Sequence, residues 1–261
     1  MLYTFCTQTD PGRIRANNED AVAFDEANHL CVLADGMGGY NAGEIASGMA
    51  TAFITSELAR WLAEVGKQAT TKDIARALEM CVSNANLAVY NAANANPQYD
   101  GMGTTLVVGV FRDETLILGH IGDSRCYRLR AGVLSQLTKD HSVLQEQIDA
   151  GLITPAQALS SPHKNLVTRA VGVDTQTMLE CHEHPVQAGD LFLMCSDGLS
   201  DMVIDPHIAR TLDGPDPLEK KAARLIALAN ERGGRDNISV VLIQAGASAE
   251  KRGLIARWLG Q

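Results

Sequence analysis

The stretch TTLVVGVFRDETLILGHI, residues 104–121, decides the architecture. TTLVVGVF (104–111) and TLILGHI (115–121) are strand-length runs of Val, Ile, Leu and Thr, separated only by Arg112-Asp113-Glu114. Parallel neighbours need a crossover of a dozen or more residues, so this pair predicts an antiparallel hairpin. Similar runs lie on either side: LYTFCT (2–7), AVAF (21–24), LCVLA (30–34), LFLMCS (191–196) and ISVVLIQA (238–245). Two helical patterns interrupt them. In 43–65, Ile45, Met49, Phe53, Trp61, Leu62 and Val65 share one broad face; in 71–93, Ile74, Leu78, Cys81, Ala85 and Val89 recur at steps of three and four. Thr71 followed by Asp73 predicts the start of the second helix, and Asn96-Pro97 its stop. Further helices are predicted over 205–212 and 217–232.

Paired helices between runs of antiparallel strands predict layers, with sheets inside and helices outside. We find no internal repeat and no low-complexity linker, and expect one domain over 1–245. Residues 141–170 are more polar and carry two short helical pieces split at Thr154-Pro155, which predicts an excursion over the face of the domain. The tail, 246–261, contains AEKRGLIARWL (249–259), with Leu254, Ile255, Trp258 and Leu259 on one face and Lys251, Arg252 and Arg257 elsewhere. It reads as an amphipathic helix expected to pack on the domain.

Composition narrows the functional class. The 261 residues carry 31 Asp plus Glu against 22 Lys plus Arg, a formal charge of −9, which argues against a nucleic-acid binder because that affinity rests on clustered cations. Six cysteines stand singly, with no zinc-type spacing, and read as small buried hydrophobes in a reducing compartment. No signal-peptide pattern opens the chain and no apolar run approaches the roughly 18 residues of a membrane span, so the expectation is a cytoplasmic protein.

The chemistry is carried by aspartates at strand ends. Asp20 precedes AVAF, Asp35 follows LCVLA, Asp123 follows TLILGHIG, Asp197 follows LFLMCS, and only Asn237 separates Asp236 from ISVVLIQ. One such aspartate is an ordinary turn residue, but gathering five is prohibitive unless cations or hydrogen bonds compensate. Carboxylates and backbone carbonyls are the ligands of Mg²⁺ and Mn²⁺. Gly36 and Gly198, after Asp35 and Asp197, predict a sharp exit from the strand with an accessible carbonyl. Arg15, just before Asn17-Asn18-Glu19-Asp20, offers the planar fork that phosphate oxygens accept. The glycine run DGMGGYNAGE (35–44) matches neither phosphate-loop pattern, which leaves metal binding as its use. His182 and His184 would share a strand face and read as a surface pair.

Taken together, RANNEDA (15–21), ADGMGG (34–39), AGEIAS (42–47), GMGTT (101–105), IGDSR (121–125), LTKDHS (137–142), VTRAVG (167–172), CSDGLSD (195–201) and RDNISVV (235–241) resemble, in order, the metal-dependent PPM, or type 2C, serine/threonine protein phosphatases, above all the compact bacterial members. The resemblance covers residues 1 to about 245. It implies an α+β fold, a four-layer α/β/β/α sandwich of two antiparallel sheets flanked by helix pairs, with a flap over about 142–166. It also implies two divalent cations, Mg²⁺ or Mn²⁺, and a third, weaker site. Position by position, Asp35 looks like the carboxylate bridging two metals, with the Gly36 carbonyl on one of them. Asp197 and Asp236 resemble ligands of the first metal, Glu19 and Asp20 acids of the second, and Asp123 and Asp201 those of the third. Arg15 resembles the phosphate-binding arginine.

The implied reaction is hydrolysis of phosphoserine and phosphothreonine by attack of a metal-bridging water, reversing a bacterial serine/threonine kinase. The expected partners are phosphorylated proteins and that kinase, with no nucleic acid and a monomeric enzyme. Two departures stand out. Position 37 is Met where eukaryotic members have a histidine proposed as general acid, and the flap reads Ser161-Pro162-His163-Lys164-Asn165 where bacterial relatives often have His-Pro-x-Arg-Asn. The competing reading is a catalytically silent regulatory module on the same fold; the presence of Arg15, Asp20, Asp35, Asp197 and Asp236 weighs against it.

Overall fold

The hairpin forms as predicted, with Leu106 opposite Ile121 and Arg112 opposite Thr115. The computed structural model describes residues 1–39, 42–158 and 166–247. Its strands are β1 (Leu2–Asp10), β2 (Asp20–Asp25), β3 (Leu30–Met37), β4 (Gly103–Thr104), β5 (Leu106–Arg112), β6 (Thr115–Ile121), β7 (Arg125–Arg130), β8 (Val133–Gln136), β9 (Glu180–Pro185), β10 (Leu191–Cys195) and β11 (Ile238–Gly246). The helices are α1 (Ala42–Val65), α2 (Thr71–Ala95), α3 (Val143–Asp149), α4 (Pro155–Ala158), α5 (Asp197–Ser200), α6 (Asp205–Asp213) and α7 (Leu218–Glu231). One sheet runs β1-β11-β10-β7-β8 and the other β2-β3-β5-β6-β9, with β4 attached to β3. The ladders are antiparallel.

Central strands are apolar at consecutive positions because both faces are covered. On β10, Leu191, Leu193 and Cys195 pack towards α6 and α7, whereas Phe192 and Met194 point between the sheets. On β3, Leu30 and Val32 pack with α1 and α2, whereas Cys31 and Leu33 join Phe192, Met194 and Val241 in the inter-sheet core. Three apolar interfaces therefore separate four layers, α1/α2, sheet, sheet and α6/α7. Each fully buried large side chain contributes about 1.5–3 kcal/mol relative to exposure.

α2 begins at Thr71, the predicted start, with its cap one residue earlier. Thr70 is the N-cap, closed by a reciprocal box in which Asp73 N–H donates to Thr70 Oγ1 (3.2 Å) and Thr70 N–H to Asp73 Oδ2 (2.9 Å). The run predicted over 104–111 breaks at Thr105, whose N–H turns to the Asp35 carbonyl at 2.9 Å. β7, β8 and β9 were not marked by apolar runs. In RCYRLR the arginines interrupt the pattern, two of them held by acids elsewhere: Arg125 by Asp140 and Arg130 by Asp190.

The excursion carries α3 and α4, broken at Thr154-Pro155 as predicted; residues 159–165, with the departing Ser161–Asn165 piece, lie outside the described residues. So does the predicted tail helix, since description ends at 247. The six cysteines are free thiols; Cys31, Cys81, Cys126 and Cys195 are buried and Cys6 and Cys181 half-buried. Among the described residues no helix is long and apolar enough to cross a membrane.

Candidate active site

β-Sheet register brings the first two acids together, because Asp20 and Asp35 are direct partners across the β2/β3 ladder. Like charges opposite each other on a ladder are destabilising unless something offsets them. The sequence reading ended the third strand at Ala34, but β3 continues through Asp35 and Gly36 to Met37. Its backbone stays extended because it has partners there. Thr105 N–H and Thr104 Oγ1 both donate to the Asp35 carbonyl, and Asp35 N–H donates to Thr105 Oγ1 at 3.0 Å. Gly36 accordingly makes no sharp exit. Its lack of a side chain serves close approach instead: a Cβ there would sit inside the Gly43 carbonyl at the start of α1. Gly198 has the same reason, with a Cβ colliding with the Asn237 carbonyl.

The other sheet supplies Asp197, the first residue of the single-turn α5, and Asp236, two residues before β11. Ser196 joins the two halves: its Oγ donates to Asp20 Oδ2 (2.8 Å) and accepts from Ser239 N–H (3.0 Å). Asn237 fixes the loop that carries Arg15 and Glu19. Its Oδ1 accepts Glu19 N–H at 2.8 Å, and its Nδ2 donates to the carbonyls of Pro11 and Asn17. Arg15 Nη2 then reaches Asp236 Oδ2 at 2.7 Å while its side chain remains 52% exposed, leaving the rest of the fork open to solvent. Glu19 points its carboxylate at Gly43 on the first turn of α1.

Asp123 enters from the β6–β7 connection and lines a cavity of about 140 Å³ with Asp197, Asp201, Arg125 and Asp140. Thr105 Oγ1 lies 2.7 Å from Ser124 Oγ, tying this turn to the residue that pins Asp35. Burial pushes the carboxyls of Asp20 and Asp123 up to about 6. Asp35 and Asp197 are raised well above the usual carboxylate value by burial and then by neighbouring acids, Asp20, Asp197 and Asp123 acting on Asp35, and Asp123, Asp201 and Asp236 on Asp197. Glu19 is raised mainly by burial. Asp20 Oδ1 is buried with no protein partner. A knot of mutually repelling carboxylates with an orphaned buried oxygen fits divalent cations, which prefer such oxygen donors and remove the repulsion.

All eight predicted metal-ligating positions and Arg15 thus fall at one end of the sandwich, where strand ends of both sheets meet. The residues that hold them there, Ser196, Asn237 and Thr105, were not singled out from sequence, because an Asp-Asn pair or a lone Ser beside a strand is an ordinary turn signal. His182 and His184 do share a face of β9, with ring centroids 6.4 Å apart. A second group also escaped the sequence reading: ligand-capable atoms of His120, His141 and Glu180 lie within 4.8 Å of one another. Nothing in their spacing signals it, since three separate segments contribute.

Fold and site define a class, a two-sheet sandwich with an oxygen-ligand centre for divalent cations where the sheets meet. The chain belongs to the protein phosphatase 2C family, whose profile matches residues 13–242. It is 41% identical over 243 residues to the serine/threonine protein phosphatase PstP of Mycobacterium tuberculosis, covering 93% of this chain and 45% of that protein. It therefore spans about half the length of that relative. It is 36% identical over 240 residues to the serine/threonine phosphatase stp of Listeria monocytogenes, covering 91% of this chain and 94% of that one. The catalytic domain of PstP, solved in complex with two manganese ions, superposes with a TM-score of 0.82 at 38% identity, covering 94% of this chain and 99% of that one.

Proposed function

We propose that this chain is a metal-dependent protein phosphatase that removes phosphate from phosphoserine and phosphothreonine in proteins modified by a serine/threonine kinase, its partner in the cell. The observation that carries the reading is the meeting of Asp20, Asp35, Asp123, Asp197, Asp201 and Asp236 beside a half-exposed Arg15. In this reading Asp35 and the Gly36 carbonyl would be donors to the bound cations. Asp197 and Asp236 would hold the first cation, Glu19 and Asp20 would serve the second, and Asp123 and Asp201 would hold a third, weaker one. The PstP structure with two manganese ions supports Mn²⁺, and Mg²⁺ shares its preference for oxygen donors.

Divalent cations supply Lewis acidity there, making water a usable nucleophile near neutral pH and offsetting charge on the phosphoryl oxygens. The chain's own residues orient and neutralise. The free edge of the Arg15 guanidinium pairs with phosphoryl oxygens, a fork that Asp236 holds at the mouth of the cleft. Ser196 and Asn237 keep the two sheet ends in register, so the acids stay fixed. Met37 offers no proton, and solvent is the donor to the departing serine or threonine oxygen. We read the enzyme as a cytoplasmic monomer.

Purified protein with Mn²⁺ should release phosphate from a phosphothreonine peptide, and Asp35→Asn and Asp197→Asn should abolish the release. Absence of metal-dependent hydrolysis, or wild-type rates in both variants, would refute the proposal.

A further inference from the structure

His141 lies outside the acidic cluster, is 7% exposed, and clamps one residue from two sides. Its backbone N–H donates to the Gly122 carbonyl at 2.9 Å, and its Nδ1 accepts the Gly122 N–H at 3.1 Å. Gly122 immediately precedes Asp123 and has a φ of +99°, and a Cβ there would lie 2.7 Å from the Thr105 side chain. With no side chain, the turn cannot anchor itself by packing, and its position depends on hydrogen bonds from outside.

The ring's tautomer follows from the same geometry. Nδ1 accepts an amide proton, so the ring hydrogen is on Nε2, which donates to Glu180 Oε2 at 3.1 Å. The His120 ring stacks on it at 4.7 Å, with its own Nε2 on the Lys139 carbonyl at 2.8 Å, and Arg169 Nη1 stands 3.4 Å from His141 Nε2. A metal among His120, His141 and Glu180 would need the Nε2 lone pair, and losing that hydrogen would leave the ring with none while Nδ1 still faces an N–H. A hydrogen-bonded relay pairs both His141 ring nitrogens, Nδ1 with the Gly122 N–H and Nε2 with Glu180, whereas a metal site would break the second pairing.

We propose that His141, with its tautomer set by Glu180, is a positioning residue that holds the Gly122–Asp123 turn so that Asp123 faces Asp197 and Asp201. This rests on the reading of Asp123 as a ligand of the third cation. The clamp also reaches the far end of the flap segment, because the His141 carbonyl accepts Thr168 N–H at 2.8 Å.

The test uses the full chain and three variants. In His141→Asn the side-chain oxygen can still accept the Gly122 N–H; His141→Leu removes the acceptor; Asp123→Asn removes the acid. Amide hydrogen exchange of Gly122 in the metal-free protein reads the clamp directly, and Mn²⁺ calorimetry reads the weakest site. His141→Leu should speed Gly122 exchange at least ~10-fold and weaken the weakest Mn²⁺ step by roughly 10–100-fold, as loss of a residue supporting a ligand does, with the tighter steps kept. His141→Asn should recover most of both. A folded His141→Leu protein with wild-type exchange and Mn²⁺ binding overturns the proposal, as does an Asn variant no better than Leu. Should the Leu variant fail to fold, Glu180→Leu, which frees the ring, must show the same two effects in weaker form or the idea falls. If Asp123→Asn weakens Mn²⁺ binding and His141→Leu does not, the positioning role alone is wrong. If Asp123→Asn changes nothing, the reading of Asp123 as a ligand is what fails, and the proposal with it.

Discussion

Arg15 is recognisable as a candidate from sequence because acids follow it within a few residues, but its partner, Asp236, lies 221 positions away. That pairing bends one edge of the guanidinium towards the acid cluster and leaves the other open to solvent, where the proposed function has it meet a phosphoryl group. Charge-assisted hydrogen bonds of this kind are worth about 1.5–3 kcal/mol. Arg15→Ala should therefore lower kcat/KM on a phosphothreonine peptide by roughly 10–100-fold, chiefly through KM. Arg15→Lys should restore only part of the loss, because a point charge cannot grip Asp236 and phosphate together. Steady-state kinetics with saturating Mn²⁺ check both. Asn237 shows the opposite relation to sequence: it follows Asp236 like any turn residue, yet three of its hydrogen bonds cross to the N-terminal loop.

At the scale of elements, the site depends on how closely β3 approaches the start of α1, and glycine sets that distance. Gly36→Ala would press a methyl group into the Gly43 carbonyl, and the extra atom should cost about 1–3 kcal/mol as the two elements separate. Gly48→Ala is the control. Gly48 is an exposed interior residue of α1 with open space around its Cβ position, and the change should stabilise by about 0.5–1 kcal/mol through helix propensity. Urea unfolding of the two variants would reveal the opposite signs. The strands and long helices were legible because their apolar runs and steps of three and four are local. β7 and β9 were not, because arginines in one and histidines and glutamates in the other conceal a half-covered strand.

For the whole molecule, the acid cluster means that binding is built at the expense of folding. Burial and neighbouring acids raise the Asp35 carboxyl well above 3.8, so the metal-free folded state holds a proton more tightly than the unfolded chain does. A raised acid favours the folded state at low pH and loses that contribution as pH rises through the folded-state value. With chelator present, Asp35→Asn should therefore melt above wild type at pH 7.5 by at least ~3 °C, equivalent to about 1 kcal/mol for a chain of this size. The gap should close as pH falls towards the ordinary carboxylate range. Excess Mn²⁺ should reverse the order at pH 7.5, since a ligand that binds only the folded state stabilises it by mass action. Calorimetric melts at both pH values, with and without Mn²⁺, decide the matter; a variant less stable than wild type in chelator would contradict the account.

The sequence by itself determined the antiparallel character of the sheets, the two long helices, and the identity of the acids and Arg15. These are written in short-range features: a three-residue connection, an apolar period, and the placing of polar residues where strands stop. Only the tertiary structure decided that Asp20 stands opposite Asp35, that Ser196 and Asn237 join the two sheets, and that His141 holds the turn before Asp123. Each of those contacts joins segments far apart in the chain. A hydrogen bond between such segments leaves no trace in the spacing of either one, because its geometry exists only once the layers have packed.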